Sequence, residues 1–322
     1  MFFRLRKLVM APVLLILSAC GLARCMPAPL DGAALDALYA EPLPAPDGPM
    51  AVYHMGHSLV ARDMPAMLAQ LAGEGHRYES QLGWGTPLRD HWTGKINGFD
   101  QENAHPRYRD AGEALDSGEY DAFVFTEMVE IEAAVKYFDS WDYAERWVAR
   151  ARAGREGAGR PDIRVYLYET WHWLDDPKGW LNRLDNDLGQ YWEGEILDRV
   201  MAMADPPKPI HVIPAGQVFA RFVRELDARG GIGPLKTRED MFGRDGEGKL
   251  DPVHVNDIGF YLVALTHYAV LYQKSPVGLP HELMRADGTK ADSPGPEAAR
   301  VMQEIVWDVV TGYRRTGVPQ QR

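Results

Sequence analysis

The stretch MAVYHMGHSLV, residues 50–60, decides how the fold is interpreted. Its first residues favour a β-strand, and a helical pattern begins at Ala61. Ser58 therefore lies where a strand gives way to a helix, at the carboxyl edge of a sheet and near the amides that begin the helix. This position suits a nucleophile for acyl transfer. The alternative is that Ser58 caps the helix, with Asp63 in its first turn.

The composition is typical of an ordinary globular protein. Of the 322 residues, 46% are hydrophobic and 25% are charged, which allows a sizeable core. The net charge of −11 argues against nucleic acid as a partner, because a phosphate-binding surface needs clustered Lys and Arg. Outside the first seven residues we find no such cluster. The two cysteines exclude a scaffold that depends on many disulfides.

The first twenty residues, MFFRLRKLVMAPVLLILSAC, have the features of an export signal. A basic segment precedes an apolar run that is too short for a settled transmembrane span. Residues 17–21 resemble the lipobox of bacterial lipoproteins, which implies that Cys20 carries lipid and anchors the chain in the cell envelope, facing the periplasm or the exterior. An ordinary secretory signal, cut a few residues later, is the alternative. Residues 21–49, rich in Pro and Ala, are interpreted as a tether to a folded domain at 50–322.

Strand and helix patterns alternate along this domain. The predicted strands are 50–56, 76–82, 121–127, 162–169 and 209–214, and the predicted helices are 61–73, 141–153, 181–203, 217–229 and 257–273. This alternation predicts an α/β fold, a three-layer α/β/α sandwich around a mostly parallel sheet. Residues 84–118 form an apparent insertion, helical near 108–116, and residues 230–250 form a Gly-rich charged loop.

A second motif stands near the carboxyl end, where Asp251 precedes His254 by three residues ahead of an apolar helix. A carboxylate bonded to one imidazole nitrogen fixes the tautomer, and the other nitrogen then accepts the proton of a serine hydroxyl. With Ser58 these residues complete a Ser-His-Asp set. The alternative is an Asp that caps a turn beside a surface His.

Together, GHSL (56–59) and DPVHVNDIGFYL (251–262) resemble blocks I and V of the SGNH, or GDSL-type, hydrolases. The resemblance spans residues 50–273 and implies a flavodoxin-like sheet. It also implies that Ser58 is the nucleophile, His254 the general base, Asp251 its partner, and Gly259 the glycine that follows the His. In that family backbone amides hold the oxyanion, which implies the amides of Ser58 and Gly85, with Gly83 as second choice.

The chain departs from the family pattern at two positions. His57 stands where block I usually has Asp or Asn. Block III usually supplies an Asn whose amide donates a third hydrogen bond to the oxyanion, but here Glu127 stands near that place, and an ionised carboxylate can only accept. The loss of one such donor costs roughly a hundredfold in rate. Thr126 is another candidate donor.

Other residues are candidates for the walls of a cleft. Trp171 and Trp173 follow a predicted strand, and Trp84, His57, Glu127 and Thr126 lie near other strand ends. Flat aromatic rings suit stacking on sugars, although the helical spacing of Trp180, Tyr191 and Trp192 is typical of core residues. His54 and His57 form an H-x-x-H pair, but a strand would place them on opposite faces, so no shared metal is expected.

These observations predict a serine esterase that is anchored in the cell envelope and acts on a small-molecule or glycan ester without a cofactor or metal. Two alternatives stay open. One is a catalytically weak glycan-binding lipoprotein with the same fold, and the other is an acyltransferase with the same triad.

Overall fold

A five-stranded parallel sheet forms the centre of the protein. The computed structural model describes residues 26–320. The strands are β1 (Ala51–His57), β2 (Arg77–Gly83), β3 (Ala122–Phe125), β4 (Arg164–Glu169) and β5 (His211–Pro214). They lie in the order β2-β1-β3-β4-β5, and every neighbouring pair is parallel. This is the flavodoxin-like order, so the predicted α/β class is confirmed.

Helices cover both faces of the sheet. In the described part of the chain they are α1 (Gly32–Leu38), α2 (Asp63–Ala72), α3 (Leu88–Thr93), α4 (Phe99–Asn103), α5 (Ala111–Asp116), α6 (Ile131–Tyr137), α7 (Ser140–Gly157), α8 (Trp180–Asp187), α9 (Asp198–Ala202), α10 (Ala215–Arg229), α11 (Asp257–Tyr272) and α12 (Gly295–Gly312). A π-helical segment, Leu188–Leu197, connects α8 to α9, and short 3-10 turns occur at Arg238–Met241 and Arg314–Thr316. A separate antiparallel hairpin consists of β6 (Phe242–Arg244) and β7 (Leu250–Val255).

The central strands are apolar on both sides, because each side lies under a layer of helices. Val52 and Ile213 face the layer of α2, α10, α11 and α12, whereas Tyr53 and Val212 face the layer of α5, α7 and α9. The burial of these alternating residues gives two hydrophobic cores, one on each side of the sheet. The result is the predicted three-layer sandwich.

Several predicted elements differ in extent from the observed ones. The predicted helix 181–203 is divided into α8, the π-helical segment and α9, and the insertion at 84–118 contains α3, α4 and α5. Asp251 and His254 lie on strand β7, although a loop was predicted there. Helices α6 and α12 were not predicted. The apolar residues of α12 recur with helical spacing, at Val301, Met302, Ile305 and Val306, so this signal was present and was missed.

Part of the predicted tether packs on the domain. This part contains helix α1, whose Leu35 and Leu38 contact the core beside the sheet. Tyr39 is 6% exposed, and its hydroxyl donates to the carbonyl of Ile210 at 2.6 Å. The packed part of the chain therefore begins before residue 50. Cys20 lies outside the described residues, among which no helix is long and apolar enough to cross a membrane.

Candidate active site

Ser58 lies in a tight turn between β1 and α2. The carbonyl of His57 accepts hydrogen bonds from the amides of Val60, at 2.9 Å, and Ala61, at 3.4 Å. Helix α2 begins only at Asp63, after the N-cap residue Arg62, which makes no side-chain capping bond. Ser58 therefore does not cap the helix, and the turn leaves its side chain free to face the sheet edge.

The turn depends on close packing behind it. A Cβ atom at Gly56 would lie 2.6 Å from the methyl group of Thr126 and 2.9 Å from a methyl group of Val60. Real carbon atoms do not approach so closely, because the repulsion rises steeply. Glycine at this position lets the end of β1 lie directly against β3, which holds the Ser58 turn at the carboxyl edge of the sheet.

Ser58, His254 and Asp251 form one hydrogen-bond chain, although the aspartate lies 193 positions after the serine in the sequence. The Oγ of Ser58 lies 2.8 Å from Nε2 of His254. Nδ1 of His254 lies 2.8 Å from Oδ2 of Asp251. An ionised carboxylate can only accept, so Nδ1 carries the ring proton and Nε2 is free to accept from the serine hydroxyl. This is the tautomer that a general base requires.

Asp251 is held in its ionised form. Partial burial works against the charge, but the amides of His254 and Val253 donate to Oδ1 at 2.8 and 2.9 Å and the His254 ring adds a third contact. These contacts outweigh the burial and lower the pKa of Asp251. The carboxylate therefore stays charged at neutral pH, where it orients the imidazole.

The end of β7 is fixed against helix α11. Asn256 caps this helix, since its Oδ1 accepts from the amides of Ile258 and Gly259. A Cβ atom at Gly259 would lie 2.4 Å from Cβ of Val255 and 2.8 Å from the carbonyl of Met241. Glycine thus allows the first turn of the helix to lie against the strand that carries His254.

His57 joins the serine turn to the end of β3. Its Nε2 donates to the carbonyl of Glu127 at 2.9 Å, and its Nδ1 accepts from the amide of Leu59 at 3.3 Å. Burial, with the nearby His254 ring, outweighs the bond to Glu127 and lowers the pKa of His57 to about 4. A neutral imidazole is the form that can donate and accept in this way, so His57 positions the turn that contains Ser58.

A cavity of about 590 Å³ opens beside the Ser58 hydroxyl. Its walls combine apolar side chains with Ser58 and His254 of the triad and one carboxylate; they are His57, Ser58, Leu59, Trp84, Gly85, Glu102, Val129, Trp173, Val253 and His254. Trp84 is 50% exposed, and its Nε1 donates to Glu102 at 2.7 Å. This size and a mostly apolar wall suit a small ligand or one group of a larger one.

Two backbone amides at the cavity are available to an oxyanion. Among residues 26–320, the amides of Ser58 and Gly85 donate to no other protein group. Gly85 has a φ of +50°, a conformation that glycine adopts readily, and it lines the cavity. Gly83 does not line it, and a Cβ there would lie 2.2 Å from Oγ1 of Thr86. The geometry therefore favours Gly85 over Gly83.

Three predicted cleft residues lie outside the cavity wall. Glu127 is fully buried, and its Oε1 accepts from the amides of Met128, at 2.7 Å, and Leu88, at 3.3 Å. Burial raises its pKa to about 7 despite these bonds. Thr126 is also fully buried. Trp171 packs on Phe219 in the core, and its Nε1 donates to the carbonyl of Val253 at 2.8 Å. These side chains support the wall from behind.

Leu59, Glu102, Val129 and Val253 line the cavity but were not predicted from the sequence. Leu59 and Val253 are the neighbours of Ser58 and His254, so their place next to the triad was a usable signal. Glu102 belongs to helix α4 of the insertion, which has little periodicity. Nothing in its local sequence points to the cavity.

No family model matches the chain, and no curated protein matches it. Among solved structures, a DUF4886 family protein from Bacteroides uniformis ATCC 8492 is similar to this chain, with 15% sequence identity and a TM-score of 0.47. The match covers 81% of this chain and 94% of that one.

Proposed function

We propose that this protein is a serine ester hydrolase of the SGNH type. The observation that carries the proposal is the hydrogen-bond chain from Ser58 through His254 to Asp251, with both contacts at 2.8 Å, at the edge of a cavity. Enzymes of acyl transfer with unrelated folds share this arrangement, in which the nucleophile is hydrogen-bonded to a base and the base is hydrogen-bonded to an orienting carboxylate. The flavodoxin-like sheet and the two sequence blocks add support.

The proposed reaction has two halves. Oγ of Ser58 attacks the ester carbonyl carbon while Nε2 of His254 takes the hydroxyl proton, and the amides of Ser58 and Gly85 stabilise the oxyanion. The tetrahedral intermediate collapses to an acyl-enzyme as His254 gives that proton to the departing alcohol. Water then attacks the acyl-enzyme, His254 takes its proton, and the acid leaves as the proton returns to Ser58.

The proposed substrate is a small-molecule or glycan ester in the cell envelope. The aromatic side chains of Trp84 and Trp173 line the cavity, and flat rings of this kind stack on sugar faces. Glu102 lies on the same wall and can accept hydrogen bonds from hydroxyl groups of the substrate. The proposed lipid anchor at Cys20 would hold the domain at a membrane surface, as the residues 17–21 imply.

The test is turnover of p-nitrophenyl acetate together with labelling by a fluorophosphonate probe. The wild-type protein should hydrolyse the ester and gain one probe per chain, and Ser58→Ala should lose both. Ser275→Ala is the matched control, because this serine lies beyond the far end of α11 and should leave both unchanged. Equal turnover by the wild type and Ser58→Ala would overturn the proposal. If the protein transfers the acyl group to an added sugar in preference to water, the proposed reaction becomes acyl transfer in place of hydrolysis.

A further inference from the structure

A mostly buried group of acidic, basic and hydrogen-bonding side chains lies behind the cavity, outside the triad. We call it the Arg183 cluster; it consists of Arg183, Asp187, Asp176, Glu130 and His172. The Arg183 side chain on α8 is only 4% exposed. Its Nε donates to Asp187 at 2.6 Å, its Nη1 donates to Asp176 at 3.0 Å, and its Nη2 donates to Glu130. One guanidinium therefore joins three carboxylates.

Two of the three carboxylates, those of Glu130 and Asp176, belong to separate segments that both reach the cavity. Glu130 directly follows Val129, and Asp176 lies three residues after Trp173. Val129 and Trp173 line the same cavity as Ser58. His172, the residue before Trp173, lies with its Nε2 2.8 Å from Oδ2 of Asp187. The Arg183 cluster thus holds two parts of the cavity wall.

The segment that contains Trp173 and Asp176 also contacts β7, the strand that carries His254. The amide of Leu174 donates to the carbonyl of Pro252 at 2.8 Å. Nε1 of Trp171 donates to the carbonyl of Val253 at 2.8 Å. Residues 170–179 therefore connect the Arg183 cluster to β7 through hydrogen bonds to the β7 backbone, next to Val253 of the cavity wall.

Only arginine suits the centre of this cluster. The planar guanidinium presents five N–H donors in a fixed fork, so that one side chain bonds three acceptors in different directions. A lysine ammonium keeps the charge but sits at a single point on a flexible stem. Without the fork, three carboxylates in a buried place repel one another and favour separation of the segments that carry them.

We propose that Arg183 is a positioning residue that sets the separation of Val129 and Trp173, and so determines the size of the ester group that the cavity accepts. The part that concerns esters rests on the proposed function. The part that concerns the wall does not, because it follows from the contacts of Arg183 with Glu130 and Asp176.

The first measurement compares p-nitrophenyl acetate with p-nitrophenyl octanoate, in the wild type and in Arg183→Lys. Arg183 contacts no residue of the triad, so kcat for the acetate should stay within about threefold of the wild type in Arg183→Lys. The preference between the two esters, measured as the ratio of their kcat/KM values, should weaken by roughly tenfold in Arg183→Lys. The reason is that a displacement of about 1 Å in a cavity wall changes rates tenfold or more. An unchanged ratio would overturn the specificity role.

The second measurement is backbone hydrogen exchange, which needs no substrate. Arg183→Lys should raise exchange in residues 126–131 and 170–178 together, and should leave the sheet strands unchanged. Arg224→Lys is the matched control, because Arg224 also pairs with a carboxylate of α8, Asp185, but this pair is exposed. If neither segment exchanges faster, the inference is wrong. If Arg183→Lys does not fold, Glu130→Ala removes the contact of Arg183 with residue 130 and should raise exchange in 126–131 alone.

These two measurements separate the inference from the proposed function. A wild-type protein that hydrolyses no ester would contradict the proposed function, while the exchange data would still decide whether Arg183 holds the wall. Turnover by the wild type with unchanged exchange and an unchanged ester ratio in Arg183→Lys would contradict the inference alone.

Discussion

The Ser58 hydroxyl has one hydrogen-bond partner of the kind that activates it, Nε2 of His254. Each member of such a chain works through the next, so their contributions to catalysis are not additive. We expect Ser58→Ala and His254→Ala each to lower kcat by at least about 10³-fold, and the double variant to lose no more than roughly tenfold beyond either. Steady-state kinetics of the three variants checks this. Losses that multiply would show that the two residues act independently.

At the scale of elements, the placement of His254 depends on the contact between β7 and α11. Gly259→Ala adds a methyl group 2.4 Å from Cβ of Val255, so the first turn of α11 must move away from the strand. We expect a loss of about 1–3 kcal/mol in the free energy of unfolding. Because His254 lies next to this contact, kcat should also fall by roughly 10- to 100-fold. Urea unfolding and ester turnover measure the two effects.

The matched control for this contact is Gly312→Ala. Gly312 ends helix α12, and a Cβ atom there would meet nothing within 4 Å. Alanine is the better helix former, so this variant should be as stable as the wild type or more stable by up to about 1 kcal/mol. Equal effects of the two substitutions would show that the packing of α11 on β7 is not what the Gly259 variant disturbs.

For the whole molecule, buried titratable groups determine how stability depends on pH. Burial lowers the pKa of seven histidines: to about 4 in His57, His76, His211 and His267, to about 3 in His91, well below the usual value in His54, and below the usual value in His105. The unfolded chain takes up these protons near pH 6.5, before the folded chain does, so their contribution to stability is lost as the pH falls below 6.5.

Two buried carboxyls act in the opposite direction. Burial raises the pKa of Glu127 to about 7 and that of Glu169 to about 8. The folded chain keeps these protons after the unfolded chain has released them, so their contribution is lost as the pH rises from about 4.5 to 8. Between pH 4.5 and about 7 the seven histidines outweigh the two carboxyls, and stability should rise with pH. Above about pH 7 the unfolded histidines have lost most of their protons, the carboxyls prevail, and stability should fall.

The measurement is urea unfolding at about pH 5, 7 and 8.5, where we expect the highest free energy of unfolding at pH 7. Glu127→Gln should reduce the fall above about pH 7, because an amide cannot ionise. It should also leave ester turnover nearly unchanged, since Glu127 does not line the cavity. A stability that rises steadily up to pH 8.5 would contradict the opposing roles of the histidines and the carboxyls.

Much of the fold and part of the candidate site were predictable from sequence because their signals are local. The β-formers of residues 51–57 and the helical spacing after Ala61 placed Ser58 in a turn at a strand end. Asp251 and His254 are close in the chain, so their pairing was evident before any tertiary contact was known. The parallel sheet followed from the alternation of strands and helices, because two parallel neighbours need a crossover between them.

Tertiary structure alone decided which side chains line the cavity and which stand behind it. Glu127 and Trp171 follow strands at the correct edge, yet both turn inward, to backbone groups that sequence spacing does not reveal. Arg183 joins carboxylates 53 and 7 residues away. A buried charge must find a partner, but its chemistry does not specify where along the chain that partner lies. Packing of distant segments determines this, so only the folded chain reveals it.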